Sequence, residues 1–233
     1  ATWRVLGGCF VRLRTDDGHE GLGWSGASTP LREVIERTLK GIVLGSDPLA
    51  IEGLWNRMFW ALRSAGRSGI AISAISAVDV ALWDLKARIL GLPLYRLLGP
   101  CRDSVPTYGS GAWTTLEESE AVTEMVGYVE RGMCAVKMKV AKDFGQREED
   151  DLSRVAAVRR ALGDEVELFV DANNGYSAKQ AIRMAQRFAE YDVRWLEEPV
   201  QADDLEGMAA ISRAIGIPVA AGENVYTKYG FKE

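Results

Sequence analysis

The hydrophobic positions of this chain follow two patterns, which divide it near residue 102. Up to residue 24, apolar and polar residues alternate on either side of an Asp-Gly turn at 16–18, which predicts a β-hairpin. Apolar residues then recur at helical spacing, most clearly from Ile70 to Leu90. The predicted helices are 31–40, 48–63 and 70–90. We therefore predict an α+β domain over residues 1–102.

Beyond residue 103, short β-like runs alternate with amphipathic helical stretches. Two of these helices begin with residue pairs typical of capping boxes, Thr115 with Glu118 and Ser177 with Gln180. Such alternation is typical of parallel strands joined by right-handed helical crossovers. The predicted strands are 105–110, 134–140, 166–171, 193–198 and 217–223, and the predicted helices are 115–131, 146–162, 177–190 and 203–215.

Polar residues fall at the C-terminal ends of these strands, which is where a (β/α)₈ barrel carries its functional groups. An open nucleotide-binding sheet would need a glycine-rich phosphate loop after its first strand, and residues 109–111 lack the rest of that spacing. A closed barrel has eight strands and about 250 residues. We therefore predict an α/β fold in which residues 103–233 form the first five strands of a modified TIM barrel, truncated at its C-terminus. The domain at 1–102 is expected to cap it and to be incomplete at its N-terminus.

Three acidic residues end successive predicted strands at an equal spacing of 26 residues: Asp171, Glu197 and Glu223. A single acid at a strand end is most often a helix cap or a solvated charge. Three at one edge of a sheet would repel one another unless a cation bound them. Carboxylate oxygens are preferred ligands of Mg²⁺, so the sequence predicts a site for one divalent ion.

Lys137 and Lys139 lie two residues apart on the strand before the first of these acids, so their side chains share one face. Val136, Met138 and Val140 form the other face of the strand. We expect this apolar set to lie under the helices and the lysines to lie inside the barrel; an outward-facing pair is the alternative. Two close ammonium groups disfavour each other's charge, which lowers a lysine pKa toward useful base strength.

Four residues are weaker candidates for substrate contact. Asn173 and Asn224 closely follow two of the acids, and Ser110 ends the first predicted barrel strand. The competing role of the two asparagines is to cap the next helix or to hold the rotamer of a metal ligand, and that of Ser110 is turn formation. Trp24 lies in a predicted flexible loop from which it could touch a substrate. The remaining tryptophans are expected in the core; those considered are Trp3, Trp55, Trp60, Trp83, Trp113 and Trp195.

Composition argues against several classes of protein. The chain has 233 residues and a net charge of -5, which gives no electrostatic reason to expect nucleic acid or an anionic membrane as partner. No apolar run reaches the roughly 18 residues of a membrane span. The one histidine, His19, lies in the hairpin turn, so the visible sequence offers no His-based triad. The three cysteines are widely spaced, which argues against a disulfide framework and favours a cytoplasmic location.

Several motifs in their order along the chain resemble the enolase superfamily, and specifically the mandelate racemase-like branch of its mandelate racemase / muconate lactonizing enzyme family. These motifs are Val-Lys-Met-Lys, Val-Asp-Ala-Asn, Trp-Leu-Glu-Glu-Pro and Ala-Gly-Glu-Asn. The stretch AVDVALWDLK at 77–86, with Leu-Gly-Leu-Pro at 90–93, is also similar. The resemblance covers essentially the whole chain and implies an α+β capping domain over a modified TIM barrel.

The resemblance also implies the chemistry of the site. Lys139 would be the base that removes a proton α to a carboxylate, with Lys137 assisting. Mg²⁺ would be held by Asp171, Glu197 and Glu223. Enzymes of this superfamily combine a Lys or His base with Mg²⁺ that stabilises an ene-diolate.

Gly-Glu-Asn at 222–224 resembles the racemase and acid-sugar dehydratase group, so the implied function is a Mg²⁺-dependent lyase that dehydrates a small sugar-acid carboxylate. A racemase, epimerase or cycloisomerase of a carboxylate is the near alternative. A non-catalytic truncated fragment is the alternative of another class, since the last barrel strands of the family are not visible. Family members are often oligomers, so a homo-oligomer also fits the resemblance.

Overall fold

The computed structural model describes residues 7–26 and 29–232, so Trp3 lies outside the described residues. The chain divides into two compact units. The N-terminal unit ends at Ser104 and includes residues 226–232. The sheet unit is Val105–Val225.

The N-terminal unit is built from a hairpin followed by helices. Strands β1 (Cys9–Arg14) and β2 (Glu20–Ser25) pair antiparallel, with Phe10 opposite Trp24. Trp24 therefore lies in a strand and not in the predicted loop, because it continues the ladder that the turn at 16–18 begins. Its side chain is exposed. The helical segments are α1 (Thr29–Val34), a π-helical turn (Ile35–Leu39), α2 (Lys40–Val43), α3 (Ile51–Ala61), α4 (Ile70–Ile89) and α5 (Leu94–Leu98).

The hairpin packs against the long helix α4 through two glycines. Any Cβ at Gly23 would overlap the carbonyl oxygen of Ala77 and lie 2.7 Å from Ala81 N. A Cβ at Gly21 would come similarly close to Leu85. Because glycine has no side chain, the strand and the helix backbone approach closely. The helix buries a continuous apolar face against β2 and α3, as its spacing predicts.

The sheet unit contains five parallel strands in the order β3-β4-β5-β6-β7, so each strand lies beside the next one along the chain. This is the order that repeated right-handed crossovers produce. The strands are β3 (Gly109–Gly111), β4 (Ala135–Lys139), β5 (Glu167–Asp171), β6 (Val193–Glu197) and β7 (Val219–Ala220). The helices are α6 (Glu118–Glu130), α7 (Lys142–Gly145), α8 (Glu148–Leu162), α9 (Ala178–Ala189) and α10 (Leu205–Ala214), while α11 (Thr227–Gly230) lies in the N-terminal unit.

The core of the sheet unit lies between the strands and the helices that cross over them. Val136, Met138 and Val140 are almost completely buried in this core, as the alternation of β4 predicts. Met125 of α6 and Phe188 of α9 pack into the same cluster. The lysines of β4 therefore face the opposite side of the sheet, which is the side that becomes the inside of a barrel.

Three predicted details differ from the structure. Strand β3 is shorter than 105–110, since Pro106 has no N–H for the ladder and Tyr108 packs against aromatic rings. The capping box of α6 is formed by Glu117 and Glu120, not by Thr115 and Glu118. At α9, the cap residue Ser177 makes no side-chain cap bond. Gln180 instead donates to Gly145 O and to Glu148.

No helix among the described residues is long and apolar enough to cross a membrane. Cys9, Cys101 and Cys134 are free thiols.

Candidate metal and proton-transfer site

Four charged side chains meet at the C-terminal ends of β4, β5 and β6. Lys139, Asp171 and Glu197 are partners in the parallel register of these strands, so they lie side by side. The ammonium of Lys139 contacts the carboxylate of Asp171. Lys137 Nζ lies 2.7 Å from both oxygens of Glu197 and 3.4 Å from Asp171 Oδ2. Asp171 and Lys137 are buried, so these charges compensate one another away from most of the solvent.

The pKa of Lys137 moves in the direction opposite to that expected for one of two close lysines. Burial alone lowers it, but the hydrogen bond to Glu197 and the negative charges of Asp171 and Glu197 outweigh burial. The pKa of Lys137 therefore lies above its usual value, because two carboxylates contact this ammonium. Lys137 is suited to remain charged.

Glu223 is placed differently from the other two acids. Strand β7 is only two residues long, and Ala220 is the residue in register with Glu197. Glu223 therefore lies three residues beyond the strand, in an exposed loop, and not at the predicted strand end. It is tied to the site by Asn173, whose N–H donates to Asp171 Oδ1 at 2.9 Å and whose Nδ2 donates to Glu223 Oε1 at 3.3 Å.

No three Asp, Glu, His or Cys side chains within residues 7–26 and 29–232 lie close enough together to hold one metal ion. The carboxylates are instead drawn to their partners, the lysines and Asn173. The chemistry of the donor set nevertheless fits a hard divalent cation, since three anionic oxygen ligands follow neighbouring strands at one edge of a sheet. Asp171, Glu197 and Glu223 are the residues that would hold such an ion.

The remaining predicted contact residues have different surroundings. Ser110 lies in the middle of β3, where its register partner is Lys137, so it faces the same side of the sheet as that lysine. Its side chain is exposed. The amide of Asn224 binds the carboxylate of Glu198 at 2.9 and 3.1 Å. Trp24 belongs to the N-terminal unit.

An aromatic layer lies directly below the charged layer. Phe169 and Trp195, each two residues before an acid of the site, stack with ring centroids 3.6 Å apart, and Tyr108 packs edge-on against both. Lys137 Nζ lies 5.4 Å from the centre of the Tyr108 ring. Phe169 is also the register partner of Lys137, so the rings form an apolar surface beside this lysine.

Trp113 is a site residue that the sequence prediction assigned to the core. Its ring centre lies 5.3 Å from Lys139 Nζ, and 39% of its surface is exposed. The turn that places it begins at Ala112, a buried residue with a left-handed φ of 48°. The guanidinium of buried Arg154 fixes this turn by donating to Ala112 O and Trp113 O, each at 2.8 Å, and to Lys139 O at 3.3 Å. The buried face of α8 also carries Asp151 and Arg159, so the hydrophobic pattern of the sequence did not predict this arrangement.

Two family models match the chain. The model for the mandelate racemase / muconate lactonizing enzyme N-terminal domain matches residues 7–99, and the enolase C-terminal domain-like model matches residues 120–233.

Individual proteins match over nearly the whole chain. A 3,6-anhydro-alpha-L-galactonate cycloisomerase of Streptomyces coelicolor is 40% identical over 95% of this chain and 62% of its own length. An L-talarate/galactarate dehydratase of Salmonella typhimurium is 41% identical over 92% of this chain and 54% of its own length. A crystal structure described as a racemase from Streptomyces coelicolor with bound magnesium superimposes with a TM-score of 0.91 at 39% identity, covering 97% of this chain and 68% of that one. The chain thus spans little more than half the length of these two curated relatives.

Proposed function

Because the chain belongs to the mandelate racemase / muconate lactonizing enzyme family of the enolase superfamily, we propose that it is an enzyme that removes the proton α to a carboxylate. The observation that carries this proposal is the packing of Lys139 and Lys137 against Asp171 and Glu197 at the C-terminal ends of neighbouring strands. Magnesium is the metal of this superfamily and is present in a solved relative. We propose a sugar acid as the substrate and dehydration as the reaction.

The two lysines and the three acids of the site have the following parts in this reaction. Lys139, as the neutral amine, takes the α-proton on Nζ, and the electron pair of the broken C–H bond moves into the carboxylate to give an ene-diolate. Asp171, Glu197 and Glu223 would hold Mg²⁺, which would supply positive charge where this second negative charge develops. Lys137 remains protonated beside Glu197 and adds a further cation. The ring of Tyr108 lies 5.4 Å from Lys137 Nζ and contributes a cation–π contact to this ammonium.

Dehydration then requires the ene-diolate to expel the β-hydroxyl group. The electron pair forms the Cα–Cβ double bond, and the hydroxyl leaves as water when a general acid protonates it. The resulting enol becomes a 2-oxo acid. No group opposite Lys139 is assigned as this acid.

Isomerisation is the second candidate function, and it is favoured by the split among the relatives. The relatives of this chain include a cycloisomerase as well as a dehydratase. Both reactions begin with removal of an α-proton, so the half-site of Lys139 serves either. They differ in what happens to the ene-diolate afterwards.

The test is incubation of the protein with Mg²⁺ and a panel of aldonic, aldaric and anhydro-aldonic acids in D₂O. Dehydration yields a 2-oxo acid, whereas isomerisation yields a product of unchanged mass apart from the deuterium it gains. We expect Lys139→Gln to lower the rate by about 10²–10⁴-fold, the usual contribution of a general base. Lys179→Gln, at an exposed position on α9, is the matched control. The proposal fails if no acid loses its α-proton to solvent under these conditions.

A further inference from the structure

Glu198, the residue after Glu197, is a buried carboxylate beside the site. Only 1% of its surface is exposed, and its φ of 39° is left-handed. A left-handed conformation is costly for a residue with a side chain and persists only where surrounding contacts impose it. The reaction described above gives this carboxylate no part.

The side chain of Glu198 joins two other loops. Its oxygens accept from Asn224 Nδ2 at 2.9 and 3.1 Å and from the Asn224 N–H at 3.3 Å. Asn174 Nδ2 donates to Glu198 Oε2 at 3.4 Å. The backbone follows the same pattern, since the Asn174 N–H donates to Glu198 O at 2.7 Å and the Glu198 N–H donates to Ala220 O at 2.8 Å. Three successive strand ends therefore meet at one residue.

The two asparagines lie next to the residues that carry the site. Asn224 directly follows Glu223, whose own strand is only two residues long and gives it little support. Asn174 directly follows Asn173, which binds both Asp171 and Glu223. Holding Asn174 and Asn224 on one carboxylate therefore fixes the positions of the outer two acids on either side of Glu197.

Stability alone does not account for this carboxylate. A buried carboxylate is costly unless it is paired and fully hydrogen-bonded. None of the ion pairs found in the described part of the chain involves Glu198. A well-packed apolar residue would fill the same volume at lower cost. What a carboxylate adds is the ability to accept several N–H bonds from two loops at once.

We propose that Glu198 is a positioning residue that sets the affinity of the site for Mg²⁺ by holding the loops of Asp171 and Glu223 around Glu197. This inference rests on the proposed function, because it requires those three acids to be the metal ligands. Residues that orient metal ligands typically contribute 10–100-fold to metal affinity when they are removed.

The experiment is a calorimetric titration of the protein with MgCl₂ alone, without substrate. We expect Glu198→Gln to raise the Mg²⁺ dissociation constant about 10-fold or more, since a glutamine turns one acceptor oxygen into an NH₂ group that faces the Asn224 amide. Asn224→Ala, at a half-buried position, removes the donor from the opposite side and is expected to act in the same direction. Asn224→Ala provides the test if Glu198→Gln does not fold. Glu206→Gln removes the same charge at an exposed position on α10 and is expected to bind as the wild type does.

The outcomes separate the two proposals. A wild-type protein that binds no Mg²⁺ overturns the proposed function. A wild type that binds Mg²⁺, with Glu198→Gln and Asn224→Ala binding within about twofold of it, overturns the positioning role alone, including the case in which both variants unfold more easily. Weaker Mg²⁺ binding by both variants, together with an unchanged control, supports it.

Discussion

The ammonium of Lys137 lies 2.7 Å from each carboxylate oxygen of Glu197, so one buried lysine neutralises an acid that we assign to metal binding. Asp171 Oδ2 is a further 3.4 Å contact of the same ammonium. A divalent cation bound here would bring two more positive charges to the carboxylates that this lysine now compensates. Lysine and metal therefore compensate the same two carboxylates. A variant without the lysine should depend more strongly on the metal for its stability.

We predict that Lys137→Met lowers the free energy of unfolding by about 3 kcal/mol in the presence of EDTA, because it leaves buried carboxylates without their cation. Saturating MgCl₂ should restore more stability to the variant than to the wild type, since the ion binds carboxylates that no ammonium now compensates. Urea unfolding with EDTA and with MgCl₂ measures both effects. Lys179→Met, at an exposed site, is the control, and equal responses to Mg²⁺ in the two proteins would contradict the prediction.

Local sequence pattern predicted the part of the site that depends on neighbouring residues. The period-two alternation of β4 placed Lys137 and Lys139 on one face. The spacing of 26 residues predicted that Asp171 and Glu197 end neighbouring strands, and the two residues are register partners. The fold class and the family were predicted correctly for the same reason, since strand–helix alternation and motif order are properties of the sequence itself.

The parts that depend on distant contacts were not predictable in this way. The same spacing of 26 residues failed for Glu223, because spacing does not reveal how much of a unit is strand and how much is loop. Hydrophobicity assigned Trp113 to the core, whereas its position depends on a left-handed Ala112 and on Arg154 from a later helix. The pKa of Lys137 is raised because two other strands bring carboxylates to it.

Gly23 makes a prediction about the N-terminal unit. We expect Gly23→Ala to destabilise the protein by about 1–3 kcal/mol, since the new methyl group would meet backbone atoms of Ala77 and Ala81 that cannot move aside without shifting the helix. Gly127 lies within helix α6, and a methyl group there would meet no other atom. Because alanine favours the helical conformation more than glycine does, Gly127→Ala should be more stable than the wild type by about 0.5–1 kcal/mol. Urea unfolding of both variants measures these changes. A Gly23→Ala variant as stable as the wild type would show that the strand and the helix can move apart at no cost.

Asp79 makes stability depend on pH. Burial in α4, with a smaller effect from the charge of Glu52, raises its pKa from 3.8 to about 6. The folded protein therefore keeps a proton that the unfolded chain releases, so this contribution to stability is complete below about pH 4 and is lost as the pH rises to about 6. Because Asp79 is only partly buried, solvent screening limits this loss to about 1–2 kcal/mol.

The substitution Asp79→Asn should remove this dependence, because an amide does not ionise. The variant is expected to be more stable than the wild type at pH 8 and to differ from it least near pH 4. Unfolding in urea at several pH values measures the difference. Asp16→Asn, in the exposed turn of the hairpin, should follow the wild type, and a constant gap between Asp79→Asn and wild type from pH 4 to pH 8 would count against the assignment.

Arg154 makes the last prediction, which concerns the turn that carries Trp113. Arg154→Met should cost about 3 kcal/mol of stability, since it leaves buried carbonyl groups of Ala112 and Lys139 without their donor. The turn at Ala112 is also expected to relax, which would move the indole of Trp113 away from Lys139 and lower the rate of α-proton exchange more than it changes KM. Arg154→Lys should recover only part of both losses, because a single ammonium lacks the planar fork of N–H donors that reaches two strand ends.

Arg160→Met, an exposed position on the same helix, is the control for Arg154→Met. Unfolding free energies and exchange rates measured together decide the matter: a variant that is destabilised but exchanges at the wild-type rate would show that Arg154 supports the fold and not the position of Trp113.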